Sequence, residues 1–361
     1  MKKKHSLPFQ ILRAVGFVLI CVLVLLAGFI GFLSCTEYKP QARESLDVSG
    51  IAKKTLEAGK TFTVAAWNIG YGALGENSDF FMDGGEMVKT ADKTQVEQNL
   101  SGILDAIDTM HPDVLFLQEV DVSSSRSEKI NEFSRVAAHL NGCASAFANN
   151  FKVAFLPYPV PPIGKVDSGV ATFSSFAVSS AERIQLPVPF SWPIRMANLK
   201  RCLLVSRVPI SGSDRELVLF NLHLEAYDDG EGKRAQTKML ADLLTEEAAK
   251  GNYVIVGGDF NQIFSTADGS AFPVQAGNWT ASEIDVSQFD GDWQFLMDES
   301  VPSCRSLYKP FAGADKTSFQ YYLIDGFIVS GNLTVDAFAA QDLGFVNSDH
   351  NPLLLQVTMR E

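Results

Sequence analysis

The chain has 361 residues, of which 46% are hydrophobic and 20% are charged. This composition is typical of a globular protein and excludes a disordered or low-complexity chain. The 42 acidic residues outnumber the 30 basic ones, and this balance disfavours nucleic acid as a partner, because lysine and arginine supply most non-specific contacts to phosphates. We expect a monomer.

The first element in chain order is an apolar segment near the N-terminus. Residues 14–36 carry no charge, and their length matches the hydrocarbon core of a bilayer. Lys2–Lys4 and Arg13 precede the segment, which favours an N-terminus in the cytoplasm and a body outside it. Three interpretations stay open: an uncleaved signal anchor, a lipoprotein signal that ends at Cys35 in "FLSC", and a buried core helix. Either of the first two tethers the body to the cell membrane.

The remaining chain divides into two parts. Residues 37–60 are polar and predict a stalk behind the tail and anchor of residues 1–36. Residues 61–361 contain no short repeat and no long linker, so they predict one large domain.

Eight apolar runs in this domain predict β-strands. Many of them are nearly continuous rather than alternating, which indicates burial on both faces of a sheet. The predicted strands are 62–69, 113–120, 168–175, 202–210, 216–224, 252–260, 322–330 and 353–359.

Three segments between these runs have apolar residues at helical spacing. They predict helices over residues 92–110, 126–141 and 233–250. Asp92 is placed to cap the first helix, and Gly251 ends the third. Some strands are joined through helices and others by short turns, which predicts an α/β fold of mixed sheets with helices outside.

Polar residues gather where the predicted strands end. In α/β sheets, ligands usually bind at the carboxyl ends of strands. The residues in question are Asn68, Glu119, His223, Asp259, Asn261, Asp325, Asp349 and His350. A single acid at such a position is more often a turn former or helix cap, but their recurrence along one chain favours a shared site.

The residue types in this set indicate a hard metal ion. Carboxylate and amide oxygens are ligands of Mg²⁺ or Mn²⁺, whereas zinc prefers histidine and cysteine. The two histidines are then available for proton transfer or charge stabilisation at a phosphate ester. In "GGDFN", strand alternation would send Asp259 and Asn261 to one face and Phe260 into the core.

Six short motifs occur in a fixed order between residues 62 and 358. They are "AAWNIG", "LFLQEVD", "NLHLEA", "GGDFN", "YLIDGFIVS" and "SDHNPLLLQV". Together they resemble the endonuclease/exonuclease/phosphatase (deoxyribonuclease I-like) superfamily, and "WNIGYGALG" with "FFMDGG" looks closest to its membrane-anchored bacterial members. The resemblance implies a four-layer α/β/β/α sandwich of two mixed sheets, with the site at one edge between them.

The resemblance also implies a metal-binding group. Glu119 resembles the principal Mg²⁺ (or Mn²⁺) ligand, and Asn68 the neighbouring residue that helps to bind metal and phosphate. Asp349 resembles the acid that supports the metal or the catalytic histidine. Arg201 is a further candidate for binding the substrate phosphate, because arginine offers a fork of donors, although a surface cation before a strand is an equally good interpretation.

The catalytic roles follow from the same resemblance. Asp259 resembles the carboxylate that orients or deprotonates the attacking water, and Asn261 resembles its partner in holding the phosphate. His350, paired with Asp325, resembles the histidine that stabilises the phosphate or acts as general base. His223 resembles a second histidine that acts as general acid or hydrogen-bond donor.

These residues predict a metal-dependent phosphoric ester hydrolase outside the cytoplasm, acting on a lipid headgroup or a small phosphorylated substrate. The alternatives are a surface-anchored nuclease and a non-catalytic binding protein on the same fold. Two proline-rich segments, "PYPVPPIG" and "PVPFSWP", are either ordinary rigid loops or loops that face the substrate or a membrane.

Overall fold

Apolar strands from distant parts of the sequence pair into two mixed sheets that face each other. The computed structural model describes residues 7–360, so the basic residues Lys2–Lys4 lie outside the described residues. The helices are α1 (Leu7–Thr36), α2 (Lys93–Met110), α3 (Glu132–His139) and α4 (Glu231–Ala249). The strands are β1 (Arg43–Leu46), β2 (Leu56–Glu57), β3 (Thr61–Asn68), β4 (Val114–Asp121), β5 (Ala144–Leu156), β6 (Gly164–Ser174), β7 (Ser180–Gln185), β8 (Cys202–Ser211), β9 (Glu216–His223), β10 (Tyr253–Asp259), β11 (Gln262–Phe264), β12 (Ser282–Ile284), β13 (Trp293–Leu296), β14 (Cys304–Arg305), β15 (Tyr321–Tyr322), β16 (Asp325–Ser330), β17 (Leu333–Ala340) and β18 (Leu353–Met359).

The larger sheet has the strand order β1-β7-β8-β9-β10-β16-β13, with β2 paired beside β8. The smaller sheet has the order β17-β18-β3-β4-β6-β5. A parallel pair lies at the centre of each sheet, β9 with β10 in the larger and β3 with β4 in the smaller, and β2 also pairs in parallel with β8. All eight predicted strands are present, although the run 322–330 is divided between β15 and β16.

Three apolar layers hold the sheets and helices together. Between the sheets, Phe116 of the smaller sheet is buried in one cluster with Ile255 and Phe327 of the larger sheet. Helix α2 covers the outer face of the smaller sheet through residues such as Leu100, and α4 covers the larger sheet through Leu244. Burying each such side chain contributes about 1.5–3 kcal/mol. The resulting order of layers confirms the predicted α/β/β/α sandwich.

The helices largely follow the prediction, with one difference. Asp92 caps α2 by accepting a hydrogen bond from the amide of Gln95. The helix predicted over 126–141 begins only at Glu132, because Glu128 and Lys129 have positive φ angles of 55° and 60° that break a right-handed helix. Asn131 then caps the shorter helix.

A buried polar bridge joins the two sheets next to the edge that carries the strand ends. Gln118 of β4 donates from Nε2 to Asn221 Oδ1 of β9 at 2.8 Å. Asn221 donates in turn from Nδ2 to the carbonyl oxygens of Ala171 and Leu117 at 2.8 and 3.2 Å. A buried side-chain amide without hydrogen-bond partners destabilises the fold. This bridge therefore favours the one relative position of the two sheets in which both amides are paired.

Helix α1 extends away from these layers. Within Pro8–Thr36 its mean hydropathy reaches 2.9, and none of its most apolar stretch is buried. This exposure contradicts the interpretation as a buried core helix, and the helix is long and apolar enough to cross a membrane. The segment 37–60, for which we expected a stalk, contributes β1 and β2 to the larger sheet.

Candidate active site

The ends of the two parallel strand pairs meet at one edge of the sandwich. In the larger sheet, Asp259 at the end of β10 lies opposite His223 at the end of β9. On the other side of β10, Asp259 lies opposite Asp325 at the start of antiparallel β16. In the smaller sheet, β3 ends at Asn68, and Glu119 lies near the end of β4. Facing sheets thus bring these distant residues to one place.

Glu119 is aimed by an irregularity in its strand. The pairing of β4 with β6 shifts between Leu117 and Val120, and Glu119 has a φ of 55°. Such bulges redirect side chains next to active sites, and positive φ at a residue other than glycine is strained. The strain therefore marks Glu119 as a residue held in place by its surroundings.

Asn68 connects the carboxylates of the two sheets. Its Nδ2 donates to Glu119 Oε1 at 3.3 Å and to Asp259 Oδ2 at 3.0 Å. Its Oδ1 accepts a hydrogen bond from the amide of Gly70 at 3.1 Å. Asn68 is buried and orients both acids, and its part in binding metal and phosphate stays a prediction.

Glu119 and Asp349 are two acids of one cavity and are the candidates to hold a divalent cation. Both line one cavity, and burial together with the negative charge of Glu119 raises the pKa of Asp349 to about 6. Within residues 7–360, neither carboxylate forms an ion pair with lysine or arginine. Hard oxygen ligands that lack a cationic partner suit Mg²⁺ or Mn²⁺.

Asp259 and Asn261 both line the cavity, but the predicted reason was wrong. Strand β10 ends at Asp259, and Asn261 adopts a φ of 52° in the turn that follows. The amide of Asn261 donates to Asp259 Oδ1 at 2.9 Å, and its Nδ2 donates to the carbonyl of Leu224. A turn, not strand alternation, therefore places the two side chains together, while Phe260 is buried as expected.

The glycines before Asp259 allow two close approaches. A Cβ on Gly257 would lie 2.5 Å from the ring of Phe327. A Cβ on Gly258 would lie 2.1 Å from the carbonyl oxygen of Leu222 and 2.9 Å from Gln118 Nε2. These positions therefore require glycine because an aromatic ring, a neighbouring backbone and the inter-sheet amide occupy the space.

Burial shapes the charge of Asp259. Its carboxylate is 2% exposed. Burial and the nearby carboxylate of Asp325 raise the pKa of Asp259 to about 7. The hydrogen bonds from Asn68 and Asn261 oppose this shift. Asp259 therefore changes protonation near neutral pH, as a general base requires.

His350 forms the predicted pair with Asp325. The distance between His350 Nδ1 and Asp325 Oδ2 is 2.8 Å, and both side chains are buried. Burial alone would lower the pKa of His350, but the charge and hydrogen bond of Asp325 outweigh it and hold the pKa well above its usual value. The other ring nitrogen, Nε2, lies 3.9 Å from Asp259 Oδ2. His350 is thus a cation directed at the cleft.

His223 has the opposite charge state. Burial and the adjacent positive charge of Arg201 lower its pKa well below the usual value, so the ring is neutral. His223 Nε2 lies 3.4 Å from Asp259 Oδ2. Arg201 Nη1 donates to the carbonyl of His223 at 3.5 Å, while Arg201 Nε has no hydrogen-bond partner in the described structure. The guanidinium lines the cavity, and the surface interpretation of Arg201 is wrong.

These groups line a cavity of about 720 Å³, within the range of small-molecule sites. The other wall is mostly aromatic and apolar. It is formed by Tyr71, Phe80, Phe81, Met82, Phe151, Leu156, Tyr158, Phe190, Leu199, Tyr227, Trp279 and Tyr322. The "FFMDGG" and the two proline-rich segments of the sequence thus contribute to the cavity wall.

Two further arginines, Arg126 and Arg305, line the cavity, and the sequence carried only a weak signal for the first and none for the second. Arg126 binds both carboxylate oxygens of Asp121 at 3.0 and 3.1 Å and stacks 3.6 Å from the ring centroid of Tyr71. Arg305 is 1% exposed and donates to the carbonyl of Gly75. It forms no ion pair with a carboxylate among the described residues. No apolar run marks the two-residue strand that carries Arg305, so the sequence held no signal for it.

Cys304 was also missed, and it lies beside the acids. The possible ligand atoms of Cys304, Asp349 and His350 all lie within 4.8 Å of one another. Burial raises the pKa of the thiol to about 12. Cys304 is therefore a buried, neutral thiol beside Asp349 and His350.

Comparisons with known proteins agree with this geometry. The model of the Endonuclease/Exonuclease/phosphatase family matches residues 65–350. An endonuclease/exonuclease/phosphatase from Beutenbergia cavernae has a similar structure (TM-score 0.56, 16% identity, 83% of this chain and 72% of that chain). So do a family protein from Bacteroides thetaiotaomicron (0.54, 14%, 84% and 99%) and the human Nocturnin catalytic domain with bound sulfate (0.51, 18%, 87% and 97%). At these identities the likeness shows the fold alone. The search of curated proteins found no match.

Proposed function

The chain belongs to the Endonuclease/Exonuclease/phosphatase family, and from its site we propose that it is a phosphoric ester hydrolase that depends on Mg²⁺ or Mn²⁺. The observation that carries the proposal is that Asn68 bridges Glu119 and Asp259 across the two sheets. This bridge unites a metal-ligand candidate with a base candidate in one cavity.

The metal-binding part of the proposal rests on two acids. Glu119 and Asp349 would hold the ion, and Asn68 orients Glu119 toward it. When bound, the ion would supply Lewis-acid stabilisation of the negative charge on the phosphoryl oxygens. The ion would add a counter-charge to Asp349, whose pKa is raised by burial and by Glu119 despite the nearby charges of His350 and Arg305.

The nucleophile would be a water molecule held by Asp259. The carboxylate has a pKa of about 7, so it can accept a proton near neutral pH. Asn68 and the amide of Asn261 hold its two oxygens in place. This fixed orientation favours attack along one line on the phosphorus atom.

Cationic and neutral donors would stabilise the charge that develops on the phosphate. Asp325 keeps His350 protonated and fixes its ring, so Nε2 can donate to a phosphoryl oxygen. Neutral His223 can donate or transfer a proton at the leaving group. Arg126, Arg201 and Arg305 also line the cavity. Arg126 is paired with Asp121, and Arg201 lies 3.9 Å from Glu225. Arg305 forms no ion pair among the described residues, so it is the guanidinium most available to an anionic substrate.

The proposal includes a location and a substrate class. Helix α1 would anchor the chain in the cell membrane with the domain outside the cytoplasm, and lipidation at Cys35 is the alternative tether. The substrate would be a phosphodiester or phosphomonoester of a lipid headgroup or a small molecule. The acidic surface speaks against nucleic acid.

A substrate panel tests the proposal. The purified full-length chain would be incubated with bis-p-nitrophenyl phosphate, p-nitrophenyl phosphate, plasmid DNA and RNA, with Mg²⁺, with Mn²⁺ and with EDTA. We expect metal-dependent turnover of a small phosphate ester. In Glu119→Gln and in Asp259→Asn, the turnover rate should fall about 100-fold or more. Glu97→Gln, an exposed acid on α2, is the matched control and should keep full activity.

Two outcomes would redirect the proposal. Nicking of plasmid at a higher rate than any small ester would favour a nuclease. Absence of turnover with every substrate and both metals would favour a binding protein on this fold.

A further inference from the structure

The end of α1 contacts two loops of the domain. The rings of Phe29 and Phe155 lie edge to face, 6.3 Å apart. One turn later, Ser34 Oγ donates to the sulfur of Met196 at 2.9 Å and accepts from Trp192 Nε1 at 3.4 Å. The membrane-length helix is therefore attached to the segments around residues 155 and 192–196.

The same two loops form one side of the cavity that holds the candidate catalytic groups. Leu156 and Tyr158 follow Phe155 directly, and Phe190 and Ala197 flank the second contact. All four line the cavity together with Glu119, Asp259 and His350. One wall of the cavity is thus formed by the segments that contact the end of α1.

The length of α1 sets the depth of these loops in a bilayer. Arg13 is the last charged residue before the apolar run, so a span begins at Ala14. About 20 residues at 1.5 Å each cross the hydrocarbon core of roughly 30 Å, which places its far boundary near Leu33. Phe29 lies four residues inside that boundary, or about 6 Å. The contacts of Ser34 with Met196 and Trp192 therefore lie at the level of the lipid headgroups, and the contact of Phe29 with Phe155 lies in the outer part of the hydrocarbon core.

Exposed apolar side chains extend from these loops next to the helix. Val160 is 91% exposed, Ile194 61% and Trp192 55%; we call these three residues the apolar rim. Exposed apolar side chains of this kind are favourable at a membrane interface, where tryptophan is enriched.

Cations accompany the apolar rim. Glu37 forms ion pairs with Lys39, Arg195 and Lys200, which leaves a local surplus of positive charge. The side chains of Lys39 and Arg195 are 64% and 47% exposed. In a protein whose body is acidic, a basic cluster just beyond the end of a membrane span can contact the phosphate groups of lipid headgroups.

We propose that the apolar rim lies in the bilayer surface and that the substrate is a membrane lipid, whose phosphate ester enters the cavity from the leaflet. This inference rests on the proposed function and on an uncleaved α1. Hydrolysis adds water across one P–O bond of the lipid: the oxygen of water joins phosphorus, and the departing alcohol oxygen takes up a proton. The aromatic cavity wall would contact the apolar part of the lipid next to its phosphate.

The position of the rim can be measured by fluorescence quenching. The full chain would be reconstituted in vesicles of phosphatidylcholine and phosphatidylglycerol with a doxyl group on the upper acyl carbons. Trp192 should be quenched, so Trp192→Phe should lose most of the quenched fraction of the signal. Equal quenched fractions in the two proteins would overturn the proposal.

An activity ratio tests the substrate class. Val160→Ser combined with Ile194→Ser should slow hydrolysis of vesicle phospholipids about tenfold, and hydrolysis of soluble bis-p-nitrophenyl phosphate should stay within about twofold. The vesicles would contain phosphatidylcholine, phosphatidylglycerol, phosphatidylethanolamine and sphingomyelin. Ile51→Ser is the matched control, because Ile51 is 83% exposed and follows Ser49, which pairs with Ser145 at the opposite end of β5.

The outcomes separate this inference from the proposed function. If the wild type hydrolyses neither substrate, the proposed function fails and the inference fails with it. If it hydrolyses the soluble ester and no vesicle lipid, or if the rim variant keeps its rate on vesicles, only the inference is overturned.

Discussion

The pair of His350 and Asp325 allows a sharp prediction for Asp325→Asn. The hydrogen bond between Nδ1 and Oδ2 is 2.8 Å long, and the two residues are 5% and 3% exposed. A charge-assisted bond contributes about 1.5–3 kcal/mol, and burial favours the upper end. Because each 1.4 kcal/mol is a tenfold change, kcat should fall by about 100-fold.

The variant retains the shape of the side chain, so the fold should survive. Steady-state hydrolysis of bis-p-nitrophenyl phosphate with Mg²⁺ gives kcat, and circular dichroism checks the fold. Asp108→Asn is the matched control: Asp108 lies 2.8 Å from His139 Nε2, but both side chains are on the surface. That variant should keep its activity and lose less than about 0.5 kcal/mol of stability. A kcat within twofold of wild type in folded Asp325→Asn would refute the assigned role of the pair.

Two further variants test the packing beside the site and the ion pairs at the other end of β9. Gly258→Ala should lower the free energy of unfolding by about 2–4 kcal/mol, because its methyl group would lie 2.1 Å from the carbonyl oxygen of Leu222 at a φ of 133°. Gly277→Ala is the control, because Gly277 has a φ of 90° but no atom within 4 Å of the added carbon. It should lower the free energy of unfolding by only about 1 kcal/mol. Equal losses of unfolding free energy in the two variants, measured with urea, would contradict the close approach at Gly258. Burial opposes the charge of Glu247, but hydrogen bonds from Arg207 lower its pKa from 4.5 to about 2. The ionised carboxylate therefore stabilises the fold above pH 4.5, and this stabilisation is lost as the pH falls toward 2. Glu247→Gln should therefore lose about 1–2 kcal/mol at pH 7, reduced by solvent exposure of the pair, and a melting temperature with the same acid dependence as wild type would argue against the coupling.

The central strands could be predicted because burial on both faces leaves continuous apolar runs. Strand β5 could not, although it has 13 residues and is the longest in the described part of the chain. Asn149, Asn150 and Lys152 interrupt its apolar pattern, and its pairing with β6 shifts at two places. Such a strand is specified by its neighbours and not by its own sequence.

The positions of the site residues followed from strand ends and motif order, but their local conformations did not. Asn261 lies in a turn that brings it back toward Asp259, and alternation could not reveal that. The amide of Asn68 contacts residues 51 and 191 positions away. Asn68 can position these carboxylates only because the two sheets face each other, and the sequence does not show that arrangement.

The relation of α1 to the cavity was also beyond the sequence. An apolar run of this length predicts a membrane span wherever it occurs. Its contact with Phe155 and Trp192 depends on two loops brought together by the fold. Both proline-rich segments line the cavity, and Trp192 of the second one contacts Ser34 of α1.

Binding of Mn²⁺ to the full-length protein, measured by isothermal titration calorimetry, tests the central claim most directly. If the strand ends form one divalent-ion site, the wild type and Glu97→Gln should bind Mn²⁺ with the same affinity. Glu119→Gln should bind it at least about tenfold more weakly. Failure of the wild type to bind Mn²⁺, or equal affinity in Glu119→Gln, would contradict the account.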